Sequence, residues 1–152
     1  MLKLVVFFAI IAVDQISKYF VLTRLRPVSS VPVIDRVLHF TYAENTGAAF
    51  SMLSGHNALL IVLPLVICAI LAYLLFAKKI RHPLGKTALV FLLGGAVGNL
   101  IDRVVHGFVV DFIDVRIINF AIFNVADIFV TVGAGMLICY LLFFYEKADK
   151  EL

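Results

Sequence analysis

The stretch FNVADIFVTVGAGMLICYLLFFY, from Phe123 to Tyr145, is almost wholly apolar and long enough to cross a bilayer, yet Asp127 stands near its start. A hydrocarbon core about 30 Å thick needs roughly 20 apolar residues per helix. An ionisable side chain at its centre costs about 2.5 to 3.5 kcal/mol, and less towards the interface. A carboxylate kept there must be paired or used. The rest of the chain implies the same solvent: of 152 residues, 63% are hydrophobic and 15% charged, and the mean hydropathy is +1.08. Ordinary soluble domains lie far from these values.

Four apolar runs have the length of a span: Leu4 to Leu22, Ala58 to Ala77, Thr87 to Val105 and Phe120 to Tyr145. The connections, 23–57, 78–86 and 106–119, are too short for a separate domain, so residues 1–152 read as one integral-membrane domain. Lys3 followed by LVVFFAIIAV has the charged and apolar parts of a secretory signal. No small-x-small cleavage site follows, and DQISK continues into more apolar sequence, so the segment reads as a retained first span. The connection KKIRHPLGK is basic and lacks acids, which places it in the cytoplasm with both termini. The other two connections then face outward. The net charge of +3 belongs to this topology signal and gives no reason to expect nucleic acid.

The polar residues inside the spans fall on stripes. Asp14, Ser17 and Lys18 are spaced i, i+3, i+4, with the acid N-terminal to the base. Asn99, Asp102, Arg103 and His106 share one face of the third span, continued inward by Gly95 and Gly98. Asn124, Asp127 and Thr131 make a stripe on the fourth, followed by Gly135. With the first and third spans running outward and the fourth inward, these stripes converge in the outer leaflet. A helix starting at Phe120 puts Asp127 about 10 Å below its outer end.

So many intramembrane charges are unfavourable unless they pair. One reading is structural: Asp14 with Lys18, Asp102 with an Arg or Lys, and Asn99 and Asn124 each bonding across helices. That leaves Asp127 without an evident base, facing a polar cluster near water, which makes it a functional candidate. GFVVDFIDV, carrying Asp111 and Asp114, reads as a short strand or extended segment able to lower Asp111 onto the helix bearing Asp127. DRVLHFTYAEN has similar strand character, Gly47 permits a tight turn, and Ala48 to Leu53 suits a short interfacial helix. Two carboxylates brought close share a proton, one accepting from water while the other donates to a carbonyl. Other chemistries lack their residues. Cys68 and Cys139 read as mid-span fillers, His39, His56, His82 and His106 have no zinc-site spacing, and GxSxG and glycine-rich phosphate loops are absent.

DQISK (Asp14 to Lys18), NTGAAFS (Asn45 to Ser51), GNLIDR (Gly98 to Arg103), VVDF (Val109 to Phe112) and FNVAD (Phe123 to Asp127) occur in this order. Together they resemble the successive sequence blocks of the bacterial lipoprotein signal peptidases (signal peptidase II). The resemblance implies an all-α membrane protein: a four-transmembrane-helix bundle with a small extracytoplasmic β-rich cradle and a short interfacial helix. It implies an aspartic endopeptidase of the bacterial inner membrane, with no metal and no cofactor, that cuts prolipoproteins just before a diacylglyceryl-modified cysteine. Its partners are then the diacylglyceryl-prolipoprotein substrates and membrane lipid. Asp111 and Asp127 become the catalytic pair, and Asn45, Gly47, Asn99, Arg103 and Asn124 line the substrate groove. Asp14 and Lys18 support it, Asp102 braces Arg103, and Asp114 has no matching role, although the sequence alone leaves it open as the second acid.

Rival classes make different demands. A proton-coupled transporter uses intramembrane Asp and Lys but needs a polar path through both leaflets. A lipid phosphotransferase needs closely spaced acids for a metal. A purely structural bundle predicts that Asp→Asn changes at Asp111 and Asp127 alter stability alone. The YD and GxGD pair of presenilin-type proteases is absent.

Overall fold

The computed structural model describes residues 1–47, 57–77, 79–118 and 120–145. Helix α1 (Leu2–Phe20) runs on through a π-helical turn, Val21–Leu25, into strands β1 (Ser30–Ile34) and β2 (Leu38–Asn45). Helices α2 (Asn57–Phe76) and α3 (Pro83–His106) follow, then strand β3 (Val109–Val115), a 3-10 turn at Arg116–Ile118, and helix α4 (Val125–Phe143). Four helices, Leu2–Leu25, Ala58–Phe76, Pro83–His106 and Val125–Phe143, are long and apolar enough to cross a membrane. The chain is thus a multi-pass membrane protein: a helical bundle with a small sheet. The interfacial helix expected over Ala48 to Leu53 lies outside the described residues.

Helix α3 is the axis of the bundle, packed against α1, α2 and α4. Glycines allow this: Ile10 packs against Gly94, Gly95 faces the Ala126 carbonyl, and Gly98 faces the Asp14 carboxylate. By contrast, α2 buries little and carries no charge, as suits a helix facing lipid.

Two helix starts differ from expectation. Helix α3 begins at Pro83 instead of Thr87, because proline suits the first helical position and His82 Nδ1 accepts from the Leu84 N–H at 3.3 Å. It ends at Gly107, whose φ of +81° closes the helix in the left-handed region. Helix α4 starts at Val125, not Phe120. The apolar residues before it are extended: Phe123 pairs with Ile113, with N–H to O distances of 3.2 and 2.8 Å.

The antiparallel sheet has order β1-β2-β3. Val110 and Phe112 turn one face of β3 onto Val21 and Leu25 at the end of the first span. The strand's alternation turns Asp111 to the opposite face. An irregularity between Phe40 and Ala43 places Ala43 opposite Asp111 and keeps His39 opposite Asp114.

Candidate active site

The N-terminus of α4 builds one wall of the site. Asn124 is its cap: Asn124 Oδ1 accepts from Asp127 N–H at 3.0 Å, and Asp127 Oδ2 accepts from Asn124 N–H at 3.2 Å. This reciprocal box satisfies two backbone donors that a helix start leaves open. It also fixes Asp127 in the first turn, so Asp127 is shallower than the 10 Å expected from a helix beginning at Phe120. A carboxylate there also meets the favourable end of the helix dipole. The other oxygen, Asp127 Oδ1, accepts from Asn99 Nδ2 at 2.7 Å.

Strand β3 supplies the facing wall. Asp111 is 2% exposed; its Oδ1 accepts from Asn124 Nδ2 at 2.6 Å and its Oδ2 from Asn45 Nδ2 at 3.0 Å. The Asn124 side chain and its own backbone N–H therefore contact both carboxylates, one by each route. The loop after β2 is tied in as well: Asn45 Oδ1 accepts from Gly47 N–H at 3.0 Å, and Gly47 O accepts from Arg103 Nη2 at 3.0 Å. Asn45, Asn99, Arg103, Asp111 and Asp127 line one cavity of about 670 Å³, walled on its apolar side by Phe120–Phe123 and by Ile128, Val130 and Val132 of α4.

Burial, and then the charge of Asp127, push the Asp111 carboxyl up to about 6 against its two hydrogen bonds. Its folded value thus exceeds the unfolded one of about 4. The linked stability is fully present below the unfolded value and is lost as pH rises through about 6. Removing the Asp127 charge by Asp127→Asn is expected to return Asp111 to a lower titration point, read by carboxyl 13C signals. An unmoved Asp111 curve would leave burial as the whole cause.

Asp114 differs in every respect. It lies in the sheet's polar patch, where Asp114 Oδ2 accepts from Arg116 Nε and Thr41 Oγ1, each at 2.8 Å. Burial raises its carboxyl, but the hydrogen bonds from Arg116 and Thr41, with the charges of Arg116 and His39, together outweigh it and hold it below the usual range. It does not line the cavity.

Behind Asp111 and Asp127, Lys18 Nζ stands 2.9 Å from Asp14 Oδ2 and 2.9 Å from Asp102 Oδ2. Asp14 Oδ1 accepts from Ala126 N–H at 2.9 Å, and Asp102 Oδ2 from Val110 N–H at 3.0 Å, so this triad ties α1 and α3 to the two segments that carry the acids. Asp102 therefore does not brace Arg103 by a hydrogen bond, as expected from their adjacency. Adjacent helical residues point about 100° apart, and Asp102 turns to Lys18 while Gly47 holds Arg103. Gln15 was missed: its Nε2 lies 3.1 Å from Asp14 Oδ2, 3.1 Å from Gly98 O and 3.0 Å from Asp102 Oδ1. Its only sequence signal was its place between Asp14 and Lys18 in DQISK.

Fold and site together define the class: a multi-pass membrane protein with a groove holding two acids where a helix bundle meets a small sheet. The chain belongs to the signal peptidase (SPase) II family, whose model matches residues 6–143. It is 43% identical to the lipoprotein signal peptidase of Clostridioides difficile over 97% of this chain and 99% of that protein. It is 44% identical to that of Caldanaerobacter subterraneus subsp. tengcongensis, over 89% of this chain and 91% of the relative. A bacterial membrane enzyme solved by the in meso method superposes with a TM-score of 0.87 at 33% identity, covering 97% of this chain and 90% of that one. A second such enzyme gives 0.84 at 34% identity, covering 93% of each chain.

Proposed function

We propose that this chain removes signal peptides from prolipoproteins as a metal-free aspartic endopeptidase, cutting just before the diacylglyceryl-modified cysteine with Asp111 and Asp127 as its catalytic pair. One observation carries this reading: a carboxylate from β3 and one from α4 open onto the same groove, and Asn124 bonds both. In the reaction, an ionised carboxylate takes a proton from water as the water oxygen attacks the scissile carbonyl carbon. The protonated partner gives its proton to the carbonyl oxygen, forming a tetrahedral diol. Proton return to the amide nitrogen then breaks the C–N bond and restores the shared proton. The raised Asp111 carboxyl, pushed up by burial and then by the Asp127 charge, suits such sharing near neutral pH.

The groove's division into polar and apolar walls supports an extended substrate backbone beside the acids with its lipid against Phe120–Phe123 and α4. Asn45, Asn99 and Arg103, which line the groove, would hold that backbone; Gly47 would act through Arg103, the fully buried Asn124 through the two acids, and Asp14, Lys18 and Asp102 would support them. The basic connection between α2 and α3 lies at the opposite end of α3 from Asn99 and Arg103. This supports cytoplasmic termini and a groove on the outer side of the bacterial inner membrane.

The test is cleavage of a purified diacylglyceryl prolipoprotein in detergent with EDTA present. Wild type should release the signal peptide at its full rate, and Asp114→Asn should stay within about threefold of it, since a change outside the groove leaves transition-state stabilisation intact. Loss of cleavage in EDTA would overturn the metal-free reading. An inert Asp114→Asn that folds normally would overturn the choice of acids.

A further inference from the structure

Directly behind the dyad, the Lys18 ammonium is 2% exposed. Its three protons have three acceptors: Asp14 Oδ2, Asp102 Oδ2 and Asn99 Oδ1, each at 2.9 Å. The two carboxylates alone compensate its charge, so the third bond, to a neutral amide, is not needed for neutrality. Asn99 Oδ1 also accepts from Asn124 Nδ2 at 3.1 Å. With two donors on its oxygen, the amide can present only its nitrogen to Asp127, and Nδ2 stands 2.7 Å from Asp127 Oδ1. A cation on the carbonyl end of an amide also polarises it and strengthens the N–H donor at the other end.

We propose that Lys18 is a positioning residue for peptide cleavage: through the Asn99 amide it fixes and strengthens the hydrogen bond that holds Asp127 in place. This rests on the aspartic peptidase reading. It differs from a role in merely tying helices together, which Asp14 and Asp102 already explain. The charged groups around the relay are Asp14 on α1, Asp102 and Arg103 on α3, Asp111 on β3 and Asp127 on α4; α2 contributes none.

The experiment compares pH–rate profiles of wild type, Lys18→Met, Asn99→Ala and the double variant on diacylglyceryl prolipoprotein. Lys18→Met is expected to lower kcat on the order of 10- to 100-fold, the range of one charge-assisted hydrogen bond. KM should stay within about twofold, and the acid limb, which belongs to the Asp111–Asp127 pair, should move to higher pH. In the Asn99→Ala background the same change should cost less than about threefold, because its route to Asp127 is gone. Losses that multiply, or an acid limb that stays in place, would show that Lys18 acts only as a structural tie and overturn the proposal.

If Lys18→Met does not fold, the Asn99 side-chain amide signal, assigned by its absence in Asn99→Ala, decides the coupling. It should follow the dyad's titration in wild type and lose that response in Asp127→Asn. An amide signal indifferent to pH overturns the relay. An inert wild type overturns the peptidase reading and this proposal with it, whereas an active wild type with multiplicative losses overturns the Lys18 proposal alone.

Discussion

Asp127→Asn and Asp111→Asn should each abolish prolipoprotein cleavage, a loss on the order of 10⁴-fold or more, while leaving a folded protein. Neither amide can take a proton from water or give one as an acid, so a dyad reduced to one carboxyl loses the proton exchange that turns its cycle. The folds survive because the shapes match. In Asp127→Asn the new amide oxygen can still accept from Asn124 N–H or from Asn99, although its NH2 then faces the other donor, at a cost of about 1 to 3 kcal/mol. Asp111→Asn meets the same conflict between Asn45 and Asn124. A second effect runs against it: wild type loses stability as Asp111 ionises through about pH 6, and the variant has no such loss. The stability gap between Asp111→Asn and wild type should therefore narrow as pH rises from 4 to 8, which thermal unfolding in detergent would show. Residual cleavage above about one part in a thousand by either folded variant would sink the dyad.

The parts of the site that could be read from sequence are those set by helical spacing. Asp14 and Lys18 lie on one face at i, i+4, and their ion pair forms. Asn99 and Arg103 lie on one stripe of α3, and both line the groove. The alternation of VVDFIDV marks a strand, but it took the folded sheet to put Asp111 in the groove and leave Asp114 outside it. What escaped was set by tertiary context. Phe120 to Phe123 are as apolar as the helix after them, so hydropathy cannot reveal that Phe123 pairs with Ile113 and that the helix waits for its Asn124 cap. The capping box itself was legible as Asn124 with Asp127 three residues on. The length of the apolar run masked it. Nor does sequence adjacency distinguish Asp102's partner: the strand and α1 that draw it away from Arg103 arrive from distant parts of the chain.

The tightness of this assembly gives the second large effect. Gly95 lies where α3 crosses α4, and a Cβ there would overlap the Ala126 carbonyl oxygen and approach Val130 Cγ2 to 2.8 Å. One obstacle is backbone, so a side-chain rotation cannot make room. Ala126 N–H is bonded to Asp14, and the next residue is Asp127, so any shift that admits a larger residue drags the turn that carries Asp127 with it. Gly95→Val should accordingly cost at least about 1 to 3 kcal/mol, the range for overpacked interiors. It should also lower kcat well beyond what the lost stability explains, because a displacement of about 1 Å at a reacting group can cost on the order of 100-fold. Gly135, also in α4, is the control: a Cβ there meets nothing within 4 Å, and Gly135→Ala should leave cleavage unchanged and raise stability by about 0.5 to 1 kcal/mol. Unfolding and cleavage of both variants in detergent separate a crossing that sets the acids from one that only packs helices. If Gly95→Val unfolds earlier yet cleaves at the wild-type rate while folded, the α3–α4 contact carries stability alone, and the acids are placed by β3 and the Asn124 cap.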